Sequence, residues 1–108
     1  MLNTKTKWKL HYSNQNVSND IVLELPENWS EIQLLEFSNE SATSGIIVIN
    51  KAAFDVIPDG KFVSTGYYLS QYDNAAITFG KESATSIRTR LVRVADQRKQ
   101  SSLYIYYR

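Results

Sequence analysis

The sequence predicts an all-β fold, an antiparallel β-sandwich of jelly-roll-like form with about eight strands and a single domain over residues 1–108. Short runs of alternating apolar and polar residues recur roughly every 10–15 residues, separated by clusters of Asn, Asp, Ser and Gly. Aromatic residues make up 12% of the chain, and they favour pleated, half-buried surfaces. No stretch holds a sustained helical period. A chain of 108 residues has room for one core and buries roughly two thirds of the surface its unfolded form exposes.

The first strand is Lys7–Tyr12, where Trp8 and Leu10 alternate with Lys7, Lys9 and His11, and the polar SNQNVSND that follows reads as a loop. Ile21–Leu25 places Ile21, Leu23 and Leu25 on one face, and Pro26, lacking a backbone donor, ends it. In PENWSEIQLLEF a helical turn at Glu27–Glu31 competes with strand, and Ile32–Ser38 reads as the third strand. Gly45–Asn50 (GIIVIN) is apolar on both faces, the pattern of a central strand covered on both sides. AAFDVIPDGK reads as a long connection ending in a Pro-Asp-Gly turn. Phe62–Leu69 and Asn74–Phe79 follow, with Gly66 marking a bulge or bend in the former, and GKESATS turns the chain. Ser86–Val94 and Ser101–Arg108, joined by the polar ADQRKQ, complete the count.

Composition removes whole classes of chemistry. Without cysteine there is no disulfide scaffold, thiolate metal site or cysteine nucleophile. The N-terminal residues are basic but lack the apolar stretch of a signal peptide, and no run approaches the roughly 20 apolar residues that span a bilayer. The only histidine, His11, lies in a strand where nothing local suggests a catalytic triad, and it reads as a surface-facing strand residue. Asp55 and Asp59 flank a turn and do not resemble a calcium loop. Gly80-Lys81-Glu82-Ser83 lacks the glycine spacing of a phosphate loop. No catalytic residue, cofactor or metal ligand is expected, and the chain reads as non-enzymatic.

Charge is unevenly spread. Residues 1–80 hold five Lys against nine acids, whereas residues 81–108 hold seven basic residues against two acids. A non-specific nucleic-acid binder is usually basic throughout; a bipolar chain suits complementary pairing within the fold or between subunits. Arg88 and Arg90 share a strand face and suit a phosphate or a partner's carboxylates, or cross-strand pairing with the acids of residues 20–40. In the last strand Leu103, Ile105 and Tyr107 alternate with Tyr104, Tyr106 and Arg108. If the first set joins the core, the second is presented outward with a composition enriched at interfaces. The candidate interface or ligand residues are therefore Tyr104, Tyr106, Arg108, Arg88, Arg90 and Trp29.

The order of segments, WKLHY first, then IVLELPENWSEIQLLEF, GIIVIN, NAAITFG, SIRTRLVRV and YIYYR, resembles a group of small β-sandwich domains of tailed-phage and prophage virion proteins, of tail-fibre or head-fibre type. The resemblance covers most of the chain and lies in apolar positions, so no binding residue is carried over. It implies a virion structural protein, a tail-fibre, head-fibre or decoration component, acting in assembly or host-surface attachment. Its expected partners are further copies of itself, with a trimer favoured, other virion proteins, and host surface glycans. A second reading is a carbohydrate-binding module, secreted or on a cell surface, that stacks sugars on Trp29, Tyr67, Tyr68, Tyr72, Tyr104 or Tyr106. Neither reading involves a membrane, and nucleic acid is not favoured.

Overall fold

A computed structural model describes residues 7–17, 20–39, 44–64, 75–93 and 101–108. Among these residues, eight strands and one short helix run in the order β1 (Lys9–Val17), β2 (Ile21–Glu24), β3 (Glu31–Ser38), β4 (Ser44–Asn50), α1 (Lys51–Asp55), β5 (Phe62–Ser64), β6 (Ala75–Ser83), β7 (Ser86–Arg93) and β8 (Ser101–Tyr107). They form two four-stranded antiparallel sheets, β1-β8-β3-β4 and β2-β7-β6-β5. The expected all-β sandwich of about eight strands is the observed fold. Its jelly-roll-like wrap is visible in the pairing of β1 with β8 in one sheet and β2 with β7 in the other.

Alternation decides which side chains go inside. Ile32 and Leu34 of β3, Ile49 of β4 and Leu103 and Ile105 of β8 meet Phe79 of β6 and Ile87 of β7 in one buried cluster. Leu34 lies opposite Ile105, and Ile32 opposite Ile49, so each cross-strand row contributes branched apolar groups to the same face.

Several elements depart from local expectation, each for a tertiary reason. β1 continues through Ser13–Val17, which the polar composition assigns to a loop, because β8 supplies a pairing partner out to Ser101. The strand absorbs its polar residues through two register shifts, and the Asn14 side chain accepts from the Asn16 amide at 2.9 Å. β6 likewise runs through Gly80–Ser83, so the turn shrinks to Ala84 and Thr85. Gly80 serves as flat strand surface rather than as a turn. A Cβ there would sit 3.1 Å from two ring carbons of Phe62, which lies across it from β5. No helical turn forms at Glu27–Glu31; Asn28 adopts a left-handed conformation (φ 58°) in a tight turn, and β3 begins at Glu31.

The helix occurs instead within the expected long connection. Asn50 caps α1, its side chain accepting from the Ala53 amide at 2.7 Å. Phe54 is fully buried and meets Trp29 edge to face with centroids 5.5 Å apart. Lys81 of β6 donates to the Asp55 carbonyl at 3.1 Å, so a lysine from one sheet closes a helix that leaves the other. The expected Pro-Asp-Gly turn follows, with Gly60 at φ 81° and its amide bound to the Lys81 carbonyl at 2.6 Å. The expected strand Phe62–Leu69 is described only as far as Ser64; its remainder, with Gly66, Tyr67 and Tyr68, lies outside the described residues, as does Tyr72.

Candidate functional site

The residues that set the surface chemistry lie on the outer face of the β1-β8-β3-β4 sheet. One cross-strand row runs Leu10, Tyr106, Gln33, Val48, and the next runs Ser13, Tyr104, Leu35, Ile46. Neither row contains a charge. Leu10 is 55% exposed, Val48 50% and Ile46 48%. Tyr104, Tyr106, Leu35 and Gln33 are half-buried between them. Phe37 extends the face and stacks on Tyr104 at 5.9 Å with planes 16° apart, while the Gln15 amide donates to the Tyr104 hydroxyl at 3.5 Å.

The outward placement of Tyr104 and Tyr106 agrees with the alternation read from the last strand. Leu10, Leu35, Ile46 and Val48 were not anticipated as surface. GIIVIN is not a covered central strand: among the described residues β4 pairs with β3 alone and stands at the edge of its sheet, with Ile46 and Val48 exposed. Its both-sided apolar pattern was the available signal, and burial was the wrong explanation of it.

The remaining candidates are engaged within the fold. Arg108 carries its guanidinium 4.1 Å over the Trp8 ring and donates from Nε to Glu31 at 2.8 Å. Its amide and carbonyl pair with Glu31, and Ser30 donates to the same carbonyl at 2.6 Å. Arg108 is thus a fastening rather than an outward-facing contact. Arg88 donates to Glu82 at 2.9 Å and lies 3.9 Å from Asp20, the intramolecular one of its two expected pairings. The backbone of Arg90 pairs with Thr78, and its side chain lies outside the described residues. Trp29 corrects the expectation of a surface platform: it is 6% exposed and packed in the core, with Lys51 Nζ 5.5 Å from its ring centroid. His11 is not a freely outward residue either. It sits where the β1 register shifts and contacts the Glu24 carbonyl of the opposite sheet through Nε2 at 2.7 Å.

These pairings change the meaning of the charge asymmetry. Asp20 and Glu31, two of the six acids between Asp20 and Glu40, are met by Arg88 and Arg108 of the basic C-terminal segment. The pairs join strands distant in the chain; Glu31 and Arg108 lie on the outer sheet face at one end, beside the two uncharged rows. Among the described residues no group of three or more His, Asp or Glu is placed to hold a metal, and no helix is long and apolar enough to cross a membrane.

Comparison with protein families, characterised proteins and solved structures finds no match to this chain.

Proposed function

We propose that this protein is a non-enzymatic assembly module that associates with further copies of itself through the outer face of the β1-β8-β3-β4 sheet, as a structural component of a virion. The observation that carries the reading is the pair of charge-free apolar and aromatic rows that run across four strands to β4, bounded at one end by the Glu31–Arg108 ion pair. The resemblance to phage virion sandwiches supplies the setting, a tail-fibre, head-fibre or decoration component acting in assembly or attachment.

The size of the face sets a condition. Four strands of about seven residues span roughly 19 Å by 23 Å, a projected area near 440 Å². That is about half of the ~800 Å² per partner typical of specific interfaces, so the contact needs the edge strand as well as the face. The edge itself favours pairing. From Ser44 to Asn50 there is no charge, no proline and no register shift against β3, and those are the usual devices by which edge strands are blunted.

Light scattering behind size exclusion tests the proposal. The wild-type chain is expected to elute as an oligomer, with a trimer favoured, and Ile46→Lys and Val48→Glu to reduce it to folded monomer. Val56→Glu is the control, because Val56 is exposed away from this face, in the segment after α1. A wild-type monomer at several hundred micromolar, or an equal loss of assembly in the control, would overturn the reading.

A further inference from the structure

A second surface feature lies away from the sheet face. The turn between β2 and β3, the β6–β7 turn and the first residue of α1 enclose an open hollow of about 370 Å³. Its walls are tied to the fold. Pro26 stops β2, and Asn28 reverses the chain in its left-handed conformation. Trp29 then returns beneath the turn to pack on Phe54. The Leu25 amide donates to the Thr85 carbonyl at 2.8 Å, fastening one wall to the other. Such a recess is preformed, so a ligand entering it meets little ordering cost.

The lining has two chemical characters. Leu25, Pro26 and Trp29, the last with only 6% of its surface exposed, are the larger apolar residues of the lining. With them stand Glu24, Glu27 and Asn28, exposed side chains to which the described residues contribute no hydrogen-bond partner. Lys51, on the rim, is already paired with Asp55 at 3.0 Å. Two carboxylates repel an anion, and they fall well short of the six to eight oxygens of a calcium site. They are strong acceptors for hydroxyl donors, and an amide can both give and accept a hydrogen bond. A lining that combines apolar groups with acceptors matches a neutral sugar, which has an apolar C–H face and a rim of hydroxyls. A volume of 370 Å³ corresponds to on the order of a dozen waters, room for one or two pyranose units.

We infer that this hollow is a saccharide-binding site for a neutral glycan end, with Glu24, Glu27 and Asn28 taking the hydroxyls and Pro26 and Leu25 the ring face. Trp29 acts as the buried support of the site rather than as a stacking platform. The inference does not depend on self-assembly, since no residue of the hollow belongs to the outer sheet face.

The test is a two-dimensional amide spectrum of the full chain, taken for the wild type and for the Val48→Glu variant. Each is titrated to tens of millimolar with glucose, galactose, N-acetylglucosamine, cellobiose and chitobiose. At least one sugar is expected to produce saturable shifts of the Trp29 indole N–H and the Asn28 side-chain amide, with a dissociation constant of roughly 1 mM. The Trp8 indole should stay still. The Glu24→Ala/Glu27→Ala double variant, altered only at exposed positions, should keep the wild-type spectrum elsewhere and weaken binding at least tenfold. No saturable shift with any of the five sugars would overturn the inference. So would shifts confined to Tyr104 and Tyr106, or saturation by lysine amide in place of sugar, which would mark a cation site.

Discussion

At the scale of single residues, the polar groups inside the sandwich matter most. Lys81 is 7% exposed, yet it reaches three partners: the Asp55 carbonyl at 3.1 Å, the Asp59 carboxylate at 4.0 Å and the Phe54 ring at 5.4 Å. Lys81→Met keeps the apolar stem and deletes the ammonium, leaving the helix carbonyl without its donor. A loss of about 1–2 kcal/mol is expected, measured as a lower urea midpoint at unchanged slope. Glu82 behaves differently. The hydrogen bond from Arg88 holds its carboxyl below the ordinary value of 4.5, so its contribution is present above that value and is lost as pH falls through the lowered one. The stability profiles of wild type and Glu82→Gln should therefore differ at neutral pH and converge in acid. A constant offset down to low pH would remove Arg88 as the cause. The sequence made Pro26, Asp59 and Gly60 legible, because their conformational constraints are local. Lys81 was not legible, since its burial depends on a helix contributed by another part of the chain.

At the scale of elements, strands were readable wherever alternation met a buried face, as in Ile21–Glu24, Glu31–Ser38 and Ser101–Tyr107. The limits came from non-local pairing. β1 extends through a polar stretch only because β8 is beside it, and nothing within GIIVIN says that β4 stands at an edge. The helix was hidden for another reason. Five residues are too few to repay nucleation on their own, so α1 exists through its cap and through Phe54. Asn50→Ala is expected to cost about 1 kcal/mol and to raise amide exchange at Ala53 well before that of β3 or β8. Uniform protection across these sites would mean that the cap contributes nothing.

At the scale of the whole molecule, charge segregation along the sequence becomes cross-strand pairing in space. Asp20 with Arg88 and Glu31 with Arg108 each join segments distant in the chain, while the two central rows of the open sheet face carry no charge. Apolar association of that face should persist or strengthen as sodium chloride rises from 50 mM to 1 M, since only charge-borne contacts are screened. Dissociation over the same range, followed by light scattering, would return the contact to the charged groups. The sequence exposed the imbalance of charge and the outward Tyr104 and Tyr106. It could not say where the balancing partners were, because that depends on strand order.

Strand order also sets a clock. β8 lies between β1 and β3, so the first strand of the chain has no neighbour in its sheet until the last has been delivered. During synthesis β1 must wait for β8, Lys9 meeting Tyr107 only after all the intervening strands have been made. The β3–β4 hairpin meanwhile presents two unsatisfied edges, one of them the seat that β8 later fills. Folding of this sheet is thus a late, long-range event, slow by the standards of local topologies. The interval before β8 arrives is when a nascent chain is most exposed to pairing with the wrong strand.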